Sequence, residues 1–254
     1  MLEFDRHPGG DGGAVVLLHS LGLDRSVFDE LVPFLTPRFE VFAPDLPGHG
    51  ASPGIDGMTN EAIADQVADL IQDVIGEPSL VIGLSMGGCV AQALAVRHPK
   101  LVRGLGLLDT TCWYGAEAVQ NWEARAQMGL DQGLASLADT QIARWFTPEF
   151  VQGNPSVVER FREVWSRTEL ATYAGACRAM GALDLRDAIA DIEVPTAIVV
   201  GADDVATDIT HAEAMRQRIP GATLQVIPNC AHLSAAEHPE TVAELLDTEL
   251  FARV

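Results

Sequence analysis

The chain has 254 residues, 48% of them hydrophobic and 20% charged, with a formal net charge of −20 at pH 7. That length fits one large domain, or one domain carrying an insertion, and the composition is that of a folded globular protein. The acidic excess repels phosphate backbones and anionic membrane surfaces, so no nucleic-acid or membrane partner is expected, and any anionic ligand needs a local basic patch.

The opening MLEFDRHPGG lacks a basic region followed by an apolar stretch, and no run of about 18 apolar residues occurs. Neither a signal peptide nor a membrane span is predicted, and a cytoplasmic location is expected. Cys89, Cys112, Cys177 and Cys230 lie far apart without a C-x-x-C pair, which points to buried free thiols rather than zinc or disulfides.

The first strong apolar run, AVVLLH (14–19), predicts a strand, with His19-Ser20-Leu21-Gly22 as the loop after it. FEVFAP (39–44) predicts a second strand. Ile63, Val67, Leu70, Ile71 and Val74 then recur at helical spacing and predict a helix over about 59–75. SLVIGL (79–84) is the third strand and runs directly into Ser85. The small residues Gly87, Gly88, Ala91, Ala93 and Ala95 let the following helix lie close to the sheet. VRGLGLLD (102–109) is the fourth strand.

Residues 111–187 then show no strand pattern but carry all four tryptophans, Trp113, Trp122, Trp145 and Trp165, among arginines and helical periods. They predict a helical cap over the sheet's carboxyl edge, where ligands of open α/β sheets bind, leaving 1–110 and 188–254 as the core. TAIVVG (196–201) and ATLQVIP (222–228) complete the strands, and a last helix begins near Pro239. The alternation predicts an α/β fold, a mostly parallel sheet flanked by helices, with strands buried on both faces.

Gly83-Leu84-Ser85-Met86-Gly87 has the G-x-S-x-G spacing of a nucleophile elbow, in which flanking glycines let neighbouring backbone pass a tight strand-to-helix turn. A serine there could also simply cap the helix. What separates the two readings is the company it keeps. A serine hydroxyl needs a base, and His232 follows the last predicted strand; the base needs a carboxylate, and Asp203 and Asp204 follow the strand before it. The order Ser, Asp, His, each just past a strand, is that of a hydrolase triad. Of the two aspartates, Asp204 is expected to be the acid, three residues beyond Gly201. The oxyanion donors are expected to be the backbone N–H groups of Met86 and Leu21. His19, His49, His98, His211 and His238 show no metal-ligand spacing, and neither metal nor organic cofactor is expected.

The segments LLHSLG, DLPGHGAS (45–52), GLSMGG, GADD and AHLSAAEHPE resemble the α/β-hydrolase superfamily. More narrowly, Asp109-Thr110, Trp122 to Arg125 and Arg144-Trp145-Phe146 resemble the cap pattern of 3-oxoadipate enol-lactonases. This resemblance implies the α/β-hydrolase fold and a serine hydrolase that opens a small carboxylate-bearing lactone. Trp122, Arg125, Arg144 and Trp145 are then the expected substrate-binding residues, since a guanidinium suits a carboxylate bidentately. A carboxylesterase, a C–C bond hydrolase or a perhydrolase-type haloperoxidase would use the same triad. A ligand-sensing receptor on the same scaffold is the alternative outside enzymes.

Overall fold

The computed structural model describes residues 1–254. Seven strands form one sheet: β1 (Phe4–His7), β2 (Ala14–Leu18), β3 (Glu40–Pro44), β4 (Ser79–Leu84), β5 (Val102–Leu108), β6 (Thr196–Gly201) and β7 (Thr223–Ile227). Their spatial order is β1-β3-β2-β4-β5-β6-β7, and every pairing is parallel except that of β1 with β3. This is an α/β fold with a mostly parallel sheet.

All six predicted strands are present. β2, β4 and β6 are buried at every position, as expected of strands covered by helices on both faces. β7 differs: as the far edge strand it buries only Ile227. β1 was not anticipated, because FDRH carries little apolar signal. It is the other edge, held through main-chain pairing to β3 and through Phe4 against Phe42, ring centroids 6.0 Å apart.

The helices are α1 (Val32–Leu35), α2 (Asn60–Leu70), α3 (Met86–Arg97), α4 (Ala118–Gln132), α5 (Leu134–Trp145), α6 (Pro148–Gly153), α7 (Pro155–Arg167), α8 (Leu170–Gly181), α9 (Ile209–Arg216), α10 (Ser234–Glu237) and α11 (Pro239–Glu249). The helix predicted over 59–75 starts under a Thr59 cap but passes into one π turn at Ile71–Ile75, closed by left-handed Gly76. The wider turn carries Val74 off the buried stripe, leaving it 38% exposed.

Helices α4 to α8 all lie between β5 and β6 in the chain. Trp165 is their centre: fully buried, it donates from Nε1 to the Leu134 carbonyl at 2.6 Å and meets Trp145 and Tyr173 edge-on. An isolated bridge between Trp113 and Asp184 draws the two ends of this segment together. No helix is long and apolar enough to cross a membrane. The parallel arrangement brings the carboxyl ends of β2, β4, β5, β6 and β7 to one edge, which is where the chemistry-bearing side chains gather.

Candidate active site

Ser85 sits between β4 and α3 with φ of 54° and ψ of −115°, a strained backbone for a residue with a side chain. The sequence pays for that turn with glycine: a Cβ at Gly83 would run into the Gly87 carbonyl, and one at Gly87 into the Leu18 carbonyl. The turn lifts the hydroxyl toward His232, whose Nε2 accepts from Ser85 Oγ at 2.8 Å. On the other side of the ring, Nδ1–H donates to Asp204 Oδ2 at 2.8 Å. Asp204 is held in turn by the Ala206 and Thr207 N–H groups on Oδ1, at 2.7 and 3.0 Å, and by the Thr207 hydroxyl on Oδ2 at 3.0 Å. Asp203, its neighbour, is exposed.

Burial alone would raise the Asp204 carboxyl pKa, but the charge and hydrogen bond of His232, with the Thr207 and Ala206 N–H groups, bring it below the usual value. For His232 burial disfavours the imidazolium, and the facing Asp204 and Asp109 carboxylates overcome it and raise the pKa.

The N–H groups of Leu21 and Met86 are buried and donate to no acceptor in the protein. Leu21 lines the same cavity as Ser85, and Met86 follows Ser85 as the first residue of α3. The Leu21 loop is fixed by His19. Its Nδ1–H donates to the Ser20 carbonyl at 2.9 Å, and its Nε2 accepts the Leu46 N–H at 2.8 Å, which leaves only the neutral ring. Burial accordingly pushes the His19 pKa down to about 4.

Above this edge lies a cavity of about 360 Å³. Ser20, Leu21, Ser85 and His232 form its floor, and Trp122, Arg125, Gln141, Arg144 and Trp145 its roof. All four roof residues expected from the sequence therefore reach the cavity. Trp145 does so while packed against Trp165 and Phe161, and Trp122 lies under the Arg125 guanidinium at 4.9 Å. Arg125 is tied by its Nε to Tyr173 Oη at 2.9 Å and by a terminal nitrogen to Gln141 at 3.1 Å. Arg144 makes no such bond. Burial and the charge of Arg125 both lower its pKa, so the two cations oppose each other across the roof.

Tyr114, Asn121, Gln141 and Thr207 also line the cavity and were not anticipated; only Thr207 had a legible signal, its place three residues after Asp204. Glu237 was missed as well. Its carboxylate, 7% exposed, accepts from the Thr147 N–H and hydroxyl beyond α5 and from the Ala231 N–H at 2.8 Å. Leu233 N–H donates to the Trp145 carbonyl at 3.1 Å, so both neighbours of His232 are joined to the chain segment 145–147. No cluster of three or more His, Cys, Asp or Glu side chains is arranged to hold a metal ion.

A sequence profile of the alpha/beta hydrolase family matches residues 15–245. The chain belongs to the alpha/beta hydrolase family, and the resemblance read from its motifs is borne out. Among its relatives, 3-oxoadipate enol-lactonase 1 of Acinetobacter baylyi is 31% identical over 232 residues, covering 91% of this chain and 86% of that protein. A pimeloyl-[acyl-carrier protein] methyl ester esterase of Chromobacterium violaceum is 34% identical over 257 residues, covering 94% and 96%. Among solved structures, the enol-lactonase from Burkholderia xenovorans LB400 superposes with a TM-score of 0.91 at 30% identity, covering 97% of this chain and 96% of that one.

Proposed function

We propose that this hydrolase opens a small carboxylate-bearing lactone, 3-oxoadipate enol-lactone to 3-oxoadipate, by acyl transfer through Ser85. In this reading residues 111–187 act as a substrate-selecting cap on a core of 1–110 and 188–254. One observation carries the choice of substrate. The segment 118–181 contains six arginines, and Arg160, Arg162, Arg167 and Arg178 each pair with a carboxylate of this chain. The two without a carboxylate partner, Arg125 and Arg144, are the two that line the cavity. In a protein of charge −20, two partly buried cations facing one small cavity call for an anion between them.

Chemistry follows from the floor. His232 Nε2 takes the Ser85 proton as Oγ attacks the lactone carbonyl, Asp204 stabilises the imidazolium, and the Leu21 and Met86 amides receive the oxyanion. Collapse breaks the ring C–O bond. The departing enolate tautomerises to a ketone, so it asks little of the general acid. Water, losing its proton to His232, then attacks the acyl-serine and releases the dicarboxylate.

The Chromobacterium relative's name describes an ester borne by a carrier protein. A partner of that size would be met by the outer surface of the cap, where the arginines are already paired. The test compares kcat/KM for the enol-lactone with that for its neutral methyl ester. Ser85→Ala should lose about 10⁶-fold in kcat on both. Arg144→Leu should lose about 10²- to 10³-fold on the lactone acid alone, because a carboxylate is left buried and unpaired. Equal losses on both substrates would refute the carboxylate reading.

A further inference from the structure

The end of β5 carries a carboxylate that the scheme above does not use. Asp109 is fully buried and adopts a left-handed φ of 46°, a conformation that disfavours residues with a side chain. Its Oδ1 accepts the Gly201 N–H at 2.9 Å, and its Oδ2 accepts the Ser234 N–H at 3.0 Å. Gly201 closes β6, three residues before Asp204, and Ser234 follows His232 by two. The residues on either side of Asp109 hold the nucleophile. Ser85 N–H donates to the Leu108 carbonyl at 2.9 Å, and the Thr110 hydroxyl donates to the Ser85 carbonyl at 2.6 Å. One short stretch, Leu108 to Thr110, thus touches all three segments that bear Ser85, Asp204 and His232.

Two backbone donors converge on Asp109, one from the end of β6 and one from the start of α10, and only a group with two acceptor oxygens satisfies both. A carboxamide offers one oxygen and would turn its NH₂ against the second donor. The same site tolerates a strained backbone and a buried carboxylate with no arginine or lysine beside it, both of which cost stability.

Resting on the triad reading above, we propose that Asp109 is a positioning residue whose two carboxylate oxygens set the acid loop and the histidine loop in register with Ser85. The charged and titratable groups facing His232 are Asp204, Asp109 and Arg144, and those facing Asp109 are Asp204 and His232, with the Cys230 thiol nearby. Burial, and then the charge of Asp204, raise the Asp109 pKa, while His232 works the other way. As a carboxylate accepting two backbone N–H groups, Asp109 adds to the field that favours the imidazolium.

The experiment measures kcat, KM and the pH profile of Asp109→Asn and Thr110→Val on the enol-lactone, with Ser85→Ala as reference and thermal unfolding alongside. Asp109→Asn should lower kcat about 10- to 100-fold, the scale of one charged hydrogen bond, with KM changed less than about twofold. Its ascending pH limb should move to lower pH, because a negative charge facing His232 is gone. Thr110→Val, isosteric, should lower kcat with KM and the pH limb unchanged. If Asp109→Asn does not fold, Ser234→Pro, which removes the N–H that Asp109 Oδ2 accepts at the first position of α10, decides the matter by a lower kcat at unchanged KM. A lower unfolding temperature with wild-type kcat and pH limb in the folded variants would overturn the positioning role while Ser85→Ala stays inactive. An active Ser85→Ala would overturn the triad reading and this proposal together.

Discussion

His232 stands between opposing charges, and under the proposed mechanism the balance sets when it can act as a base. Burial disfavours its protonation, the Asp204 and Asp109 carboxylates favour it, and Arg144 across the cavity opposes it, with a raised pKa as the net result. The base must be neutral to take the Ser85 proton, so kcat/KM should rise with pH along a limb centred above the ordinary histidine value of about 6.5. Removing Arg144 takes away a positive charge that resists protonation, and Arg144→Gln should therefore shift that limb further upward. A limb that moves down, in a pH–rate series on the neutral ester, would contradict this sign. At this scale the sequence was informative where order and spacing bring side chains together: Ser85, Asp204 and His232 were expected to meet, and His232 stands within hydrogen-bond reach of both the others. It was silent on Gln141, Tyr114 and Glu237, because which side chains meet across a cavity depends on how helices pack, and a single chain's periodicity does not record that.

The junction of β4 and α3 shows how an element's packing constrains its residues. The helix approaches β2 so closely that a Cβ at Gly87 would strike the Leu18 carbonyl, a backbone atom that cannot rotate away. Gly87→Ala should cost about 3 kcal/mol and displace the elbow, abolishing activity in whatever protein remains folded. Gly153, at the end of α6, has nothing near its own Cβ position and no left-handed φ. Gly153→Ala should leave unfolding in urea within about 0.5 kcal/mol of wild type, or stabilise it. The six strands and the helix stripe were legible because burial on both faces writes a continuous apolar run and burial on one face writes a 3.6-residue period. β1 was illegible for the converse reason. Its place at the edge rests on main-chain pairing, to which FDRH contributes almost no side-chain pattern. The π turn in residues 71–75 was likewise illegible: IQDVI holds neither glycine nor proline, and the glycine that closes it, Gly76 at φ 78°, lies just beyond.

Over the whole molecule, acid should act through two histidines that never meet solvent. Burial pushes the His19 pKa down to about 4, and burial with the nearby His19 pushes that of His49 down to about 3. Each is neutral in the folded chain and charged in the unfolded chain once pH falls below about 6.5, so the unfolded state binds more protons in that window. Their stabilising contribution is complete above that pH and drains away as pH falls toward the folded values. His49→Gln should lessen the pH slope of the unfolding free energy by about 1.4 kcal/mol per pH unit between about pH 5.5 and 4, measured by urea titration. An unchanged slope would mean that His49 is protonated in the folded chain. The bond from Glu237 to Thr147, with that from Leu233 to Trp145, bears on how such a molecule diversifies. A roof that holds His232 by both shoulders is not a free module. Exchanging it for another would loosen His232 unless the newcomer brought its own hydroxyl and carbonyl to the same two points. Under the proposed function, a change of substrate would disturb His232 least if roof residues such as Trp122 and Arg144 were altered one at a time and the attachment at 145–147 were left alone.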